Sequence, residues 1–84
     1  MRVVNIQLIH AYTASPARQK DARAWLATAR QAAWAGPRDV RTDFPAATNN
    51  GAVWSFPLAP SGVVVTAAIR FMGGSGVVFV QQVM

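Results

Sequence analysis

Few side chains in this sequence can transfer protons or bind a metal ion. The 84 residues include one histidine, one tyrosine, one lysine and three aspartates, with no glutamate and no cysteine. His10 and Tyr12 lie two residues apart, so they share a face on a strand but not on a helix. A metal site needs several convergent ligands, which one histidine and scattered aspartates do not supply. We therefore predict no metal and no cofactor, and the lack of cysteine excludes thiol nucleophiles and disulfides.

Arginine is the residue type in this sequence that most clearly suggests a binding function. Eight Lys/Arg against three Asp give a net charge of +5, and seven of the eight cations are arginine, which suits bidentate contacts to phosphate. Such a balance points to a nucleic acid, an acidic protein or a membrane surface without choosing among them. The set is either a solvated surface or an RNA-binding surface that follows phosphates. The residues assigned to RNA binding are Lys20, Arg23, Arg30, Arg38, Arg41 and Arg70.

The elements that must position these side chains begin with a long helix over residues 16–35. Ser15 is a good N-cap, Pro16 suits the first helical position, and Gly36-Pro37 supplies a stop. Apolar residues recur at spacings of three and four, which predicts one buried face. The predicted buried residues are Ala22, Trp25, Leu26, Ala29 and Ala33.

The remaining chain predicts an α+β domain. Residues 2–4 indicate a short strand, and residues 5–14 either continue it or form a helix with Asn5 as N-cap. Residues 37–50 are predicted as a loop with a short extended piece at residues 40–44. Hairpin-sized connectors join three strand-like runs, so these form an antiparallel meander. The runs are residues 52–58, 62–71 and 76–83.

Two further features have a structural and a functional interpretation. Trp54 is a core residue or a base-stacking platform, and the core is favoured because no basic neighbour shares its strand. The glycine-rich segments at residues 49–51, 61–62 and 73–76 lack the lysine and the strand-to-helix context of phosphate-binding loops. They are predicted to be plain turns.

Residues 24–47 carry three short motifs in order. Residues 24–34 read A-W-L-A-T-A-R-Q-A-A-W, followed by P-R-D-V at 37–40 and D-F-P-A-A at 43–47. This stretch resembles the HigB-type mRNA interferase toxins of the RelE-like superfamily, where a helix with A-W and a later A-x-W precedes P-x-D, F-P-x-A and a hairpin sheet. The start M-R-V-V-N, with Ile9 and Tyr12 after it, also resembles the family and favours a helix over residues 6–14.

The resemblance implies a single RelE/HigB-like domain over residues 1–84. Its fold would have a short N-terminal strand, one or two helices and a three-stranded antiparallel meander. It implies a cytoplasmic, bacterial or phage component of a type II toxin–antitoxin system, with a helix-turn-helix antitoxin as partner and mRNA or the ribosome as target. No apolar run approaches the ~18 residues that span a bilayer, so no membrane partner is expected.

The sequence differs from the family at the positions that would carry the family's catalytic residues. Ser55-Phe56-Pro57 and Gly62-Val63-Val64 replace the family's strand asparagine and arginine, and the sequence ends at Met84, where the family has a T-H-x-E-Y segment. The family is a metal-independent endoribonuclease, and removing one proton-transfer or charge-stabilising group typically lowers a rate by roughly 10²–10⁴-fold. The resemblance therefore predicts weakened or lost RNA cleavage, with action by binding RNA or a protein partner.

Two other functions stay open from the sequence. A divergent but active interferase would use His10 for proton transfer, Arg70 as a phosphate clamp and Lys20 or Arg23 to position RNA. It requires His10 and Arg70 to meet in one open cleft. A small phage or mobile-element protein that inhibits a host machine by protein binding would instead have no nuclease activity and no salt-sensitive affinity for RNA.

Overall fold

The computed structural model describes residues 1–72 and 76–84, which form three helices and a five-stranded sheet. The predicted α+β class is confirmed, and the described residues add one helix and one strand to the predicted order. In chain order the elements are β1 (Arg2–Val4), α1 (Gln7–His10), α2 (Pro16–Gln31), α3 (Pro37–Asp43), β2 (Thr48–Asn50), β3 (Val53–Pro57), β4 (Val64–Arg70) and β5 (Val77–Val83).

The sheet has the strand order β1-β5-β4-β3-β2. The three predicted strand runs are present as β3, β4 and β5, and neighbouring strands from β2 to β5 pair antiparallel. β1 instead pairs parallel with β5, with Arg2 opposite Val77 and Val4 opposite Phe79. A parallel partner is reached only through a long crossover, and here the chain between β1 and β5 includes every helix.

The helix α2 begins as predicted but ends four residues earlier. The Ser15 hydroxyl accepts a hydrogen bond from the Arg18 backbone N–H at 3.2 Å, and Pro16 is the first helical residue. The C-cap Ala32 is extended (ψ 150°), so the predicted burial of Ala33 is wrong and its side chain is exposed. The predicted buried residues within α2 are confirmed: Ala22, Trp25, Leu26 and Ala29.

The early end of α2 is explained by Trp34. Trp34 follows Trp25 by nine residues, which is about two and a half helical turns. A continued helix would therefore carry Trp34 on the exposed side. Breaking the helix at Ala32 lets the Trp34 ring become buried instead, with its Nε1 donating to Asp43 Oδ2 at 2.9 Å.

The predicted loop after residue 37 is wrong, because Pro37–Asp43 is helical. The Gly36-Pro37 pair looks like a stop for the preceding helix, but Gly36 is the N-cap and Pro37 the first residue of α3. Asp39 lies in the first turn, and its Oδ2 accepts a hydrogen bond from the Ala35 backbone N–H at 2.8 Å. A carboxylate at this end also interacts favourably with the helix dipole.

The chain turns sharply between β1 and α1, and the predicted role of Asn5 as N-cap is wrong. Asn5 has a positive φ of 65° and so turns the chain; the N-cap of α1 is Ile6, not Asn5. Of the helix predicted over residues 6–14, only Gln7–His10 is α-helical. α1 packs against α2 and β5 and buries Ile9.

The hydrophobic core lies between the helices and one face of the sheet. Phe56 is its aromatic centre, because its ring is in contact with four others. The ring centroids lie 5.3 Å from Trp25, 6.5 Å from Trp34, 5.3 Å from Phe44 and 6.2 Å from Trp54. Trp54 is 1% exposed, so its predicted place in the core is confirmed.

The turns are hairpin connections where the structure describes them. β2 and β3 pair around Gly51, and residues 58–63 join β3 to β4. The third predicted connector, residues 72–75, includes Gly73, Gly74 and Ser75, which lie outside the described residues.

Asp21 ties α2 to the turn between β3 and β4. Its Oδ2 accepts a hydrogen bond from the Ser61 backbone N–H at 3.0 Å. Hydrogen bonds from the Ser61 side chain and backbone lower the pKa of Asp21 below its ordinary value of 3.8, and the positive charge of Lys20 acts in the same direction. The ionised carboxylate is therefore favoured in the folded state.

This depressed pKa gives Asp21 a pH-dependent contribution to stability. The contribution is present above the unfolded-state pKa near 3.8, and it is lost as the pH falls through the lower folded-state pKa. We expect Asp21→Asn to be less stable than the wild type at neutral pH, with the gap narrowing as the pH falls below about 4. Urea unfolding across this pH range measures the gap. A gap that is the same at every pH would contradict the assignment.

Candidate nucleic-acid interface

One face of the sheet is covered by the helices, and the other is open. Along β4 the side chains alternate, with Val65, Ala67 and Ile69 buried in the core. The same alternation continues in β3, where Trp54 and Phe56 are buried. The residues between them point to the opposite face. We call this the open face and define it by three rows of side chains that cross the strands.

The central row of the open face is apolar. The register places Val4 beside Phe79, Phe79 beside Ala68, and Ala68 beside Val53. Phe79 is 37% exposed and Val53 39% exposed, which places them among the five exposed large apolar side chains of the described residues. An aromatic ring therefore lies in the middle of a sheet face that no helix covers.

The second row carries two arginines. Arg2 of β1 and Arg70 of β4 both pair with Val77 of β5, so they flank it on either side. Neighbouring strands are about 4.8 Å apart, which separates the Cα atoms of Arg2 and Arg70 by roughly 10 Å. Both arginines are exposed, and no ion pair engages either of them in the part of the chain that the structure describes.

The third row, on the other side of Phe79, is polar and uncharged. Gln82, Thr66, Ser55 and Thr48 follow one another across β5, β4, β3 and β2. A register shift between Thr66 and Ala67 displaces β5 by one residue and brings Gln82 rather than Gln81 opposite Thr66. A shallow cavity of about 230 Å³ is lined by Thr48, Ser55 and Thr66 together with Val53 and neighbouring residues.

All three carboxylates of the chain lie in the helix layer rather than on the open face. Asp21 is in α2, and Asp39 and Asp43 are in α3. The arginines of the second row are therefore not neutralised by acidic neighbours on their own face. The open face combines positive charge, an exposed aromatic ring and hydroxyl and amide groups that can form hydrogen bonds.

The structure does not bring His10 and Arg70 together. His10 is exposed on α1, which packs on the helix side of the sheet, whereas Arg70 lies on the open face. Tyr12 also contacts the core from the helix side. The single cleft that a rebuilt interferase site would require is therefore not formed by these residues.

The residues assigned to RNA binding from the sequence fall on three separate surfaces. Lys20, Arg23 and Arg30 share the exposed side of α2. Arg38 and Arg41 are exposed on α3, and Arg41 is placed over the Trp54 ring at 5.0 Å and donates to Asn49 Oδ1 at 2.6 Å. Within the predicted set, only Arg70 lies on the open face.

Sequence reasoning missed Arg2 and Phe79. Phe79 could have been found, because it alternates with the buried residues Val78 and Val80 in a strand that the sequence predicts. Arg2 could not, since its position beside Arg70 depends on the parallel pairing of β1 with β5. That pairing joins residues 75 apart and leaves no local signal.

No group of three or more histidine or acidic side chains that could hold a metal ion occurs among residues 1–72 and 76–84. Within the same residues, none of the helices has the length and apolar character needed to cross a membrane. Comparison with protein-family models and with curated proteins gives no match. The described residues form an α+β fold in which the helices cover one face of the sheet. The other face is basic and carries an exposed aromatic ring.

Proposed function

We propose that this protein binds single-stranded RNA across the open face of its sheet. The observation that supports the proposal is the exposed Phe79 ring at the centre of a face that carries Arg2 and Arg70 and no carboxylate. Proteins that bind single strands combine aromatic stacking platforms with positive charge along the nucleic-acid backbone. The open face supplies both.

Each row of the open face has a matching part of an RNA strand. A base stacks on Phe79, the phosphates on one side of it approach Arg2 and Arg70, and a base edge on the other side meets Thr66, Ser55 and Gln82. Proteins that recognise an RNA sequence generally bind single-stranded RNA, because its unstacked bases are accessible to aromatic side chains and to hydrogen-bonding groups. An uncovered sheet face with an exposed aromatic ring fits this mode better than it fits a duplex.

The chemistry of the open face favours binding without cleavage. Attack by a 2′-OH on the adjacent phosphate needs a proton acceptor and a proton donor near the cation. The described residues of the open face include arginines, hydroxyls, amides and apolar side chains, but no histidine, tyrosine, lysine or aspartate. Arginine alone can hold a phosphate without activating the nucleophile.

The resemblance to HigB-type toxins extends the proposal to a cellular role. The protein would act as a toxin-like component of a type II toxin–antitoxin system that binds mRNA, alone or on the ribosome, with RNA cleavage weakened or lost. A helix-turn-helix antitoxin would be its protein partner. The motifs of residues 24–47, which cover the second half of α2 and all of α3, support this role because they carry the resemblance.

RNA binding is tested by the fluorescence anisotropy of a short labelled single-stranded RNA over a series of salt concentrations. Phe79→Ala should weaken binding about tenfold, because a stacked base contributes roughly 1–3 kcal/mol. The double variant Arg2→Gln and Arg70→Gln should lower the slope of log affinity against log salt by about 0.7 for each phosphate that is no longer neutralised. Since all three side chains are exposed, the variants should fold.

The matched controls are Arg23→Gln and Arg30→Gln on the exposed side of α2, which should leave affinity nearly unchanged. If they weaken binding as much as the Arg2 and Arg70 changes do, the RNA lies on the helix layer and the proposal fails. An affinity that does not depend on salt would also contradict it, and would favour a protein that acts only by binding other proteins.

The toxin-like role has its own experiment. The wild-type chain should retard growth on expression less than an active interferase does, and it should leave labelled mRNA uncut while still binding it. Co-expression with the protein encoded beside it should relieve any growth defect. Efficient cleavage of mRNA by the purified chain would overturn the proposal that it acts by binding.

A further inference from the structure

The strand β5 contains one more residue than its partner β4 at the register shift beside the central row of the open face. Val80 pairs with Ala67 and Gln82 pairs with Thr66, so Gln81 is the extra residue between them. A β-bulge of this kind places two residues of one strand opposite one residue of the other, and it re-aims the side chains that follow it.

The bulge turns two consecutive glutamines towards the open face. In a regular strand Val80 and Val83 would lie on opposite faces, because they are three residues apart. Here Val80 is fully buried and Val83 also packs against the core. Gln81 and Gln82, which lie between them, are both exposed. Regular alternation would place Gln82 on the buried side, so the bulge gives the open face its second amide.

The positions of the two amides relative to Phe79 are set by the strand. Gln81 follows Phe79 by two residues, which places their Cα atoms roughly 7 Å apart on the same face. Gln82 is the next residue along the chain. On the other side of Phe79, the two arginines of the second row flank Val77, which precedes Phe79 by two residues. The aromatic ring therefore lies between a row of cations and a pair of amides.

Neither glutamine amide is used within the described part of the protein. Among residues 1–72 and 76–84, no hydrogen bond engages the side chain of Gln81 or Gln82. The amide of Asn49 differs, because its Oδ1 accepts from Arg41 and its Nδ2 donates to the Gly51 carbonyl. Each free primary amide offers two N–H donors and one carbonyl acceptor. The two amides can therefore pair with a ligand edge that carries both donors and acceptors.

We propose that Gln81 and Gln82 bind the Watson–Crick edge of the base that stacks on Phe79. This assignment rests on the proposed function, because Phe79 must hold a base. The phosphates approach the arginine row, so the base extends from there across Phe79. Its Watson–Crick edge lies away from the sugar and reaches the glutamines. In all four bases this edge carries a donor beside an acceptor, and a half-turn of a primary amide matches either order.

The consequence is a requirement for an unpaired base rather than for one particular base. In a duplex the Watson–Crick edge is occupied by the complementary base, and a methyl group on that edge blocks it in the same way. Proteins that bind single-stranded RNA combine stacking with hydrogen bonds to such exposed edges. The two glutamines are therefore specificity-determining residues, which exclude a base whose Watson–Crick edge is not accessible.

The probes are three labelled RNA hexamers, made of uridine, of N3-methyluridine and of 5-methyluridine. Both modifications add one methyl group to each base, but only the N3 methyl lies on the Watson–Crick edge. Fluorescence anisotropy should show similar affinities for the uridine and 5-methyluridine hexamers. The N3-methyluridine hexamer should bind about tenfold more weakly, as expected when an amide loses its pairing with a base.

The outcomes separate this assignment from the proposed function. Equal affinities of the two methylated hexamers would overturn the assignment and leave RNA binding by the open face intact. No binding of the uridine hexamer would overturn both. The comparison uses the wild-type protein, so it does not depend on the folding of any variant.

The residues themselves are tested by the double variant Gln81→Met and Gln82→Met. Methionine nearly keeps the length of each side chain but cannot donate a hydrogen bond. In this variant the two methylated hexamers should bind alike. Gln31→Met is the matched control, because Gln31 is exposed at the end of α2 in the helix layer, and it should keep the wild-type preference. A preference that persists in the double variant would show that other groups contact the base edge, and the assignment would fail.

Discussion

Phe56→Ala is expected to lower the free energy of unfolding of the protein by about 3–5 kcal/mol. The Phe56 side chain is fully buried and is in contact with the rings of Trp25, Trp34, Phe44 and Trp54. Removing a buried phenylalanine typically costs about 3–5 kcal/mol, because apolar burial is reduced and a cavity remains. A domain of this size has roughly 4–13 kcal/mol of total stability, so this cost is a large part of it. Urea unfolding followed by tryptophan fluorescence measures the change.

The matched control is Phe56→Leu, which keeps most of the apolar volume in the centre of the aromatic group. We expect it to be less stable than the wild type but clearly folded, with a destabilisation near half that of the alanine variant or less. If Phe56→Ala unfolds at nearly the same urea concentration as the wild type, the ring contacts around Phe56 do not organise the core. That result would contradict the packing described for the helix layer.

Gly76→Ala should destabilise the protein by about 3 kcal/mol, at the upper end of the cost of overpacking. A Cβ atom at Gly76 would overlap the carbonyl oxygen of Arg70 and would lie 2.5 Å from Met1 Cε. The end of the methionine side chain can move aside. The Arg70 carbonyl belongs to the backbone of β4, where it leads into the pairing with Val77, so it cannot move without disturbing the sheet.

Gly36→Ala provides the comparison for Gly76→Ala. A Cβ atom at Gly36 would meet nothing within 4 Å, and its backbone is extended, a conformation that alanine adopts without strain. Its cost should be limited to a weaker N-cap, about 1 kcal/mol or less. Thermal unfolding of the two variants measures the difference. Equal melting temperatures would show that the space around Gly76 is less confined than the structure indicates.

The sequence predicts well those parts of the fold that depend on residues close together along the chain. The buried face of α2 follows from the spacing of Trp25 and its neighbours, and β3, β4 and β5 follow from apolar runs joined by hairpin-sized connectors. α3 was missed because a glycine followed by proline can end one helix or begin the next. Only the tertiary position of Trp34, buried by the break at Ala32, decides between the two.

The open face was harder to predict than the fold, because its residues are neighbours only through pairing between distant strands. Charge alone directed attention to the long helix, where Lys20, Arg23 and Arg30 share an exposed side. Arg70 was included, but nothing near it in sequence indicates that Arg2 lies two strands away.

The parallel pairing of β1 with β5 also constrains how the protein is made. β5 lies between β1 and β4 in the sheet, although it follows every other described element along the chain. During translation, β1 therefore emerges from the ribosome well before its partner β5. Arg2 can pair with Val77 only after the three helices and the other described strands have been synthesised. Long-range pairings of this kind slow folding. The open face, which needs both strands, is therefore complete only after β5 has emerged.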